Sequence, residues 1–221
     1  MFIDSNAPLY TESLFIHFKE ITMKILLIGA NGTIGSAIAK ELAPRHEIIS
    51  VGRSSGDFQV DISDSASIRK LFEQVGTFDA LVCAAGNVNF VPLAAMTEKD
   101  FALGLQDKLM GQVNLLLIGR EFANDGASFT FTTGITSHDP IHTCASASMV
   151  NAAIDGFVRA AAIELPRGLR VNSVSPNVLQ ESMGAYAAYF SGFKPVPAAE
   201  VALAYAKSVE GLQTGQTYHV G

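Results

Sequence analysis

The chain is short of positive charge and nearly without cysteine. Fifteen Lys and Arg face 21 Asp and Glu, a formal net charge of -6. A surface that tracks phosphates needs clustered Lys and Arg, so neither nucleic acid nor an anionic membrane is an expected partner. The two cysteines, Cys83 and Cys144, make no CxxC and join no His/Cys cluster of metal-ligand spacing. No metal is therefore expected, and a reducing, cytoplasmic setting fits. No segment reaches about 18 uninterrupted apolar residues, so the sequence offers no candidate to span a bilayer as a helix. Fixed-period repeats and low-complexity linkers are also missing. Residues 1–22, MFIDSNAPLYTESLFIHFKEIT, lack the basic start and apolar run of a signal peptide. They are read as an extension, either preceding an alternative start at Met23 or forming a short outer helix, LFIHFKEI. With 221 residues, 48% of them hydrophobic, the chain can bury one sizeable core and is short for two.

From Met23 onward, short apolar runs alternate with stretches of helical period. The runs are KILLIG (24–29), EIISVG (47–52), DALVCAAG (79–86), ASFTFTTG (127–134), LRVNSVSP (169–176) and QTYHVG (216–221). Between them, helices are predicted at 36–43, 65–75, 97–104, 106–122, 146–165 and 198–209. Continuous apolar strands alternating with helices imply a single α/β domain over 23–221. Its parallel sheet of about seven strands would be doubly wound, with helices on both faces and ligands at the carboxyl ends of the strands.

The first strand runs into Gly29-Ala30-Asn31-Gly32-Thr33-Ile34-Gly35. A glycine-rich turn there lets the backbone approach a pyrophosphate, with free N–H groups and the helix dipole meeting its charge. A plain strand-to-helix turn would read similarly, but the position in the first βα unit favours a dinucleotide. Its type turns on the end of the second strand. A carboxylate there would bind a ribose 2′-hydroxyl and repel a 2′-phosphate. The chain has Gly52-Arg53-Ser54-Ser55, with no acid before Asp57. That favours NADP(H), held by the Arg53 guanidinium and the Ser54 and Ser55 hydroxyls; the competing reading is a solvated surface arginine.

These motifs together resemble the short-chain dehydrogenase/reductase family, over Met23 to Gly221. Beside the glycine turn, the resemblance rests on Asp61-Ile62, on Cys83-Ala84-Ala85-Gly86, on Arg170-Val171-Asn172-Ser173-Val174-Ser175-Pro176 and on Thr214-Gly215-Gln216. It implies a Rossmann-type fold, adenine contact at Asp61 and Ile62, an NAAG-like turn at Ala84, Ala85 and Gly86, and a nicotinamide loop starting at Pro176 and including Leu179. It also implies hydride transfer between NADP(H) and a small carbonyl or alcohol, and a homodimer or homotetramer formed through helices 106–122 and 146–165. The small residues Ala147, Ala152, Ala153 and Gly156 suit such packing. Two positions depart from the pattern. Thr33 replaces the middle glycine of the family's GxxxGxG, with Gly32 before it, and Asn177 stands where a glycine usually follows the proline.

The larger departure is chemical. The family carries Tyr-x-x-x-Lys on the helix spanned here by CASASMVNAAIDGFVRAAAIEL (144–165). Ungapped matching puts Ala147 and Asn151 at those positions; sliding by two gives Ala145 and Met149. Nowhere does YxxxK occur: Tyr10, Tyr186, Tyr189 and Tyr205 are followed four residues on by Leu14, Phe190, Phe193 and Val209. The family's serine maps to Thr133 or Gly134, and its asparagine on the preceding helix maps to Lys108. The resemblance thus implies an exchange of Lys and Asn between helices, with the Lys108 ammonium near the nicotinamide ribose and Asn151 supplying the amide, and makes Lys108, Thr133 and Asn151 the candidate catalytic set. Against this, Lys108 can equally snorkel to solvent.

His138 and His142 are substitute proton donors by pH range, although loop histidines are commonly surface residues. Pro140 prevents them from sharing a helical face as metal ligands. Ser137, Ser146 and Ser148 have no base partner for hydrolase chemistry. Tyr186, Tyr189, Phe190 and Phe193 suggest a lid over 177–197 with one apolar helical face, suited to an apolar substrate or to core or dimer contact. Two function classes stand open: an NADP(H)-dependent oxidoreductase with an atypical site, and an NADP(H)-binding sensor or scaffold that does not catalyse.

Overall fold

The computed structural model describes residues 22–221, so the 1–22 extension and its expected outer helix lie outside the described residues, apart from Thr22. The elements, in order, are β1 (Lys24–Ile28), α1 (Thr33–Leu42), β2 (Glu47–Gly52), β3 (Phe58–Gln59), α2 (Ser65–Val75), β4 (Phe78–Cys83), α3 (Glu98–Leu103), α4 (Met110–Gly119), β5 (Ala123–Thr132), α5 (Ala145–Glu164), β6 (Arg170–Pro176), α6 (Met183–Tyr186), α7 (Ala198–Glu210) and β7 (Thr217–Val220). The strands form one seven-stranded sheet in the order β3-β2-β1-β4-β5-β6-β7. Every pairing is parallel. The sequence names six of these strands; the seventh, β3, is a two-residue edge too short to show a period.

Strand periodicity explains the two cores. Successive side chains point to opposite faces, so Leu26 and Ile28 of β1 join Leu81, Phe129 and Val171 beneath α2, α4 and α5. Ile25 and Leu27 join Ala80, Val82 and Val174 beneath α1 and α7. Helix ends find partners both nearby and across the fold. Asp64 caps α2 by accepting from the Ala66 amide at 2.9 Å, and the guanidinium of Arg170 donates to the Ser208 and Val209 carbonyls of α7 at 2.8 and 3.0 Å. The winding order reverses at β1, with β2 and β3 laid on one side and β4 to β7 on the other, which opens a crevice at the carboxyl ends of the central strands.

Three departures from the sequence reading bear on the site. Strand β5 begins at Ala123, because Phe78 pairs with Ala123 before the ladder shifts to Ala80↔Ser128. The predicted helix 106–122 ends at Gly119 and opens with a π-helical turn, Gly104–Leu109. Helix α5 crosses closely here: a Cβ on Gly104 would lie 3.0 Å from Ser146 Oγ and 3.1 Å from Val150 Cγ2. The expected helical face of the lid is also not formed. Helix α6 stops at Tyr186, leaving Tyr189 46% exposed while Phe190 is buried. Gly192 (φ +85°) and the pair Pro195, Pro197 break the period beyond it.

Candidate cofactor and active site

Gly29 turns the chain with φ +83°, and a Cβ there would sit 2.8 Å from the Ala84 carbonyl. A Cβ on Gly35 would collide with the Gly29 carbonyl. Both glycines are therefore required by the protein's own packing. Gly32 differs: its Cβ would meet only the Gly29 oxygen, at 3.4 Å. Gly32 also caps α1 without any side-chain hydrogen bond. The amides of Thr33, Ile34 and Gly35 belong to the first turn, which has no intrahelical acceptors. A bare, uncapped helix start with no side chain in front of it fits a pyrophosphate. Asn31 donates to Ser55 Oγ at 2.7 Å and so ties this turn to the loop after β2.

Beside the turn lies an open cleft, and Gly29, Arg53, Asp61, Ile62, Ala85 and Gly86 all line it. Six of the residues predicted for the cofactor thus share one concavity. Arg53 donates to Asp61 at 3.1 Å across its rim, with 69% of the arginine side chain exposed. The Ser63 hydroxyl and amide, and then Arg53, hold the Asp61 carboxyl below the usual range. Ser54 offers its carbonyl to Gln59 at 3.2 Å. Pro176 and Leu179 do not line this cleft. Pro176 ends β6 with its carbonyl 3.9 Å from where a Gly134 Cβ would be, and Leu179 is bridged to Val196.

The three candidate catalytic residues converge at the end of β5. Lys108 sits in the π-helical turn, half-buried, with Nζ 3.4 Å from the Thr133 carbonyl. Its stem packs on Gly86, whose φ of +131° and lack of a Cβ make the room: a Cβ would lie 2.7 Å from Lys108 Cγ. Desolvation pushes the Lys108 ammonium down to about 8, against the opposing pull of Cys83 and Asp155. Asn151 is buried and donates to Thr136 Oγ1 at 3.0 Å, while its Oδ1 has no partner among the described residues. Thr133 presents its carbonyl to Lys108; its hydroxyl leans on the Val174 carbonyl at 3.4 Å.

Other candidates lie elsewhere. His138 packs edge-on against His219, ring centroids 4.7 Å apart, in a groove shared with Asp155 and Arg159. His142 is exposed, and Ala147 is buried. Among the described residues no group of three or more His, Cys, Asp or Glu is placed to hold a metal, and no helix is long and apolar enough to cross a membrane. Sequence reasoning missed Asp107, Asn87 and Thr136. The Asp107 carboxylate lines the cleft and accepts from the Asn87 amide and side chain, both at 3.0 Å. Adjacency to Lys108 and to Gly86 was the available signal, but residues twenty apart reveal such a pair only once the turn is folded.

A family model described as Enoyl-(Acyl carrier protein) reductase matches residues 33–212. A short-chain dehydrogenase/reductase of Stachybotrys chlorohalonatus, ATR9, is 31% identical over 183 residues, covering 69% of this chain and 72% of that protein. Among solved structures, the protein lin1944 from Listeria innocua is 52% identical with a TM-score of 0.89, covering 90% of this chain and all (100%) of that one. A small-chain dehydrogenase in complex with NADPH, 24% identical, shares the fold with a TM-score of 0.80, over 90% of this chain and 97% of its own. Fold, glycine turn and sequence agree: the chain belongs to the short-chain dehydrogenase/reductase family of oxidoreductases.

Proposed function

We propose that this protein is an NADP(H)-dependent oxidoreductase that transfers hydride to or from a small carbonyl or alcohol, through an active site rebuilt around Lys108, Thr133 and Asn151. The observation that carries the cofactor choice is Arg53, standing on the rim of the cleft at the end of β2, where a 2′-phosphate would meet a guanidinium. Its contact to Asp61 is an exposed ion pair, which costs little to open. The pyrophosphate would rest on the amides of Thr33, Ile34 and Gly35. Asp61, an acceptor, suits an exocyclic amine of the adenine, and the Asn151 Oδ1, without a partner among the described residues, suits a ribose hydroxyl. When bound, NADPH supplies a hydride to the carbonyl carbon. The cofactor-bound relative of the same fold supports this reading.

A second reading, an NADP(H)-binding sensor or scaffold, is favoured by one observation: the chain contains no Tyr-x-x-x-Lys, the pair that the family uses as acid and lysine. Calorimetry with NADPH and NADH, followed by NADPH absorbance against a panel of carbonyls and quinones, separates the two. The oxidoreductase reading expects tighter NADPH binding and saturable consumption. Saturable binding without consumption would establish the sensor instead.

We also propose assembly as a homodimer or homotetramer through α4 and α5. Leu116, Leu117, Phe157 and Ala161 line a groove between these helices, and Ile163 is 86% exposed. A monomer by sedimentation at micromolar concentration would refute it.

A further inference from the structure

A carbonyl oxygen that becomes an alcohol needs a proton, and the family's tyrosine is gone. The remaining titratable groups are poorly placed. His138 is turned against His219 and His142 is exposed. The Cys83 thiol is fully buried in β4, its pKa pushed up to about 12 by burial. The Tyr205 hydroxyl is buried and held by Thr132. Asp107 is held by both donors of Asn87.

What stands at the carboxyl ends of β4 and β5 is the Lys108 side chain. A π-helical turn, a feature frequently found at functional sites, carries it there. Its stem crosses Gly86 on the cleft wall, and its ammonium reaches the Thr133 carbonyl. Among the described residues it has no carboxylate within ion-pair distance, and its only hydrogen-bond partner is that one long contact. A lysine kept solely for structure is ordinarily paired or fully solvated.

Resting on the reductase reading above, we propose that Lys108 is the proton donor of this enzyme, replacing the missing tyrosine from the opposite helix. In reduction, the carbonyl carbon gains the hydride and the C=O π pair moves to oxygen. The oxygen takes H⁺ from Lys108 Nζ, giving the alcohol, NADP⁺ and a neutral amine that solvent reprotonates. In oxidation the neutral amine takes the hydroxyl proton. A lysine lowered to about 8 has both forms present near neutral pH, as acid–base exchange requires. The charged group bearing on it is Asp155 from α5, with Asp107 beside it in the turn; the buried Cys83 thiol of β4 stays neutral in this range.

Lys108→Met and Lys108→Arg test the role together, since arginine keeps the charge but does not release a proton in this range. Both should lower kcat by roughly 10²–10⁴-fold, while NADPH affinity measured by calorimetry changes by only a few fold. Wild-type reduction should decline as pH rises through about 8, and that limb should vanish in the variants. NMR of dimethylated lysines gives a readout without turnover: the signal missing from Lys108→Arg should titrate near 8 in the wild type. An ordinary lysine titration, or full activity in either variant, overturns the proposal while leaving the reductase reading intact. A wild type that binds NADPH and consumes none overturns both.

Discussion

The Tyr205 hydroxyl lies 2.5 Å from Thr132 Oγ1, and Thr132 in turn donates to the Cys83 carbonyl at 2.6 Å. With its one proton committed to Cys83, Thr132 accepts from Tyr205. This buried chain links α7 to the carboxyl ends of β5 and β4, directly behind Thr133 and the cleft wall. Tyr205→Phe removes the donor without changing the ring. It should lower stability by about 1–3 kcal/mol, read as a lower urea midpoint with an unchanged slope.

The glycine turn separates packing from binding. Gly35→Ala should fail on both counts, because its Cβ collides with the Gly29 carbonyl; loss of soluble, cooperatively melting protein is the expected result. Gly32→Ala meets nothing closer than 3.4 Å, so it should melt close to wild type yet bind NADPH roughly tenfold more weakly or worse. A Gly32→Ala protein with wild-type affinity would remove the pyrophosphate from this helix start.

Arg53 decides between the two cofactors. Charge-assisted hydrogen bonds contribute about 1.5–3 kcal/mol each, so Arg53→Ala should weaken NADPH by roughly 10-fold to 100-fold and leave NADH nearly unchanged. Equal losses for both cofactors would show that the guanidinium does not read the 2′-phosphate.

Lys108 should cost the fold stability. Its folded pKa lies below the unfolded value, so the penalty is absent at pH values above both, grows as pH falls through the unfolded range and is complete below about 8. Lys108→Met should therefore melt at a higher temperature than wild type at pH 7, with the gain shrinking toward pH 10.

Acid should act in the opposite sense. The Ser50, Ser63 and Thr97 hydroxyls, each reinforced by a main-chain amide, hold the Asp57, Asp61 and Asp100 carboxyls low. Carboxyls depressed in the folded state contribute stability above their unfolded pKa of about 4, and lose it as pH falls through the lowered values. The urea midpoint should hold between pH 7 and 5 and drop below about pH 4; a midpoint that is flat to pH 3 would contradict these contacts.

Much of this was legible in the one-dimensional pattern. Apolar runs such as KILLIG and DALVCAAG declared strands buried on both faces, and their alternation with helical periods fixed a parallel, doubly wound sheet. Gly29 and Gly35 marked the turn because no other residue fits those backbones, and the missing YxxxK could be counted without alignment. The chain order could not show what the folded turns bring together. That Lys108 reaches the Thr133 carbonyl, that Asn151 donates to Thr136, and that Asp107 grips Asn87 depend on a π-helical turn and on the crossing of α5 at Gly104. Local sequence sets periodicity and conformational freedom; which polar groups end up desolvated side by side is set by the packing of elements far apart in the chain.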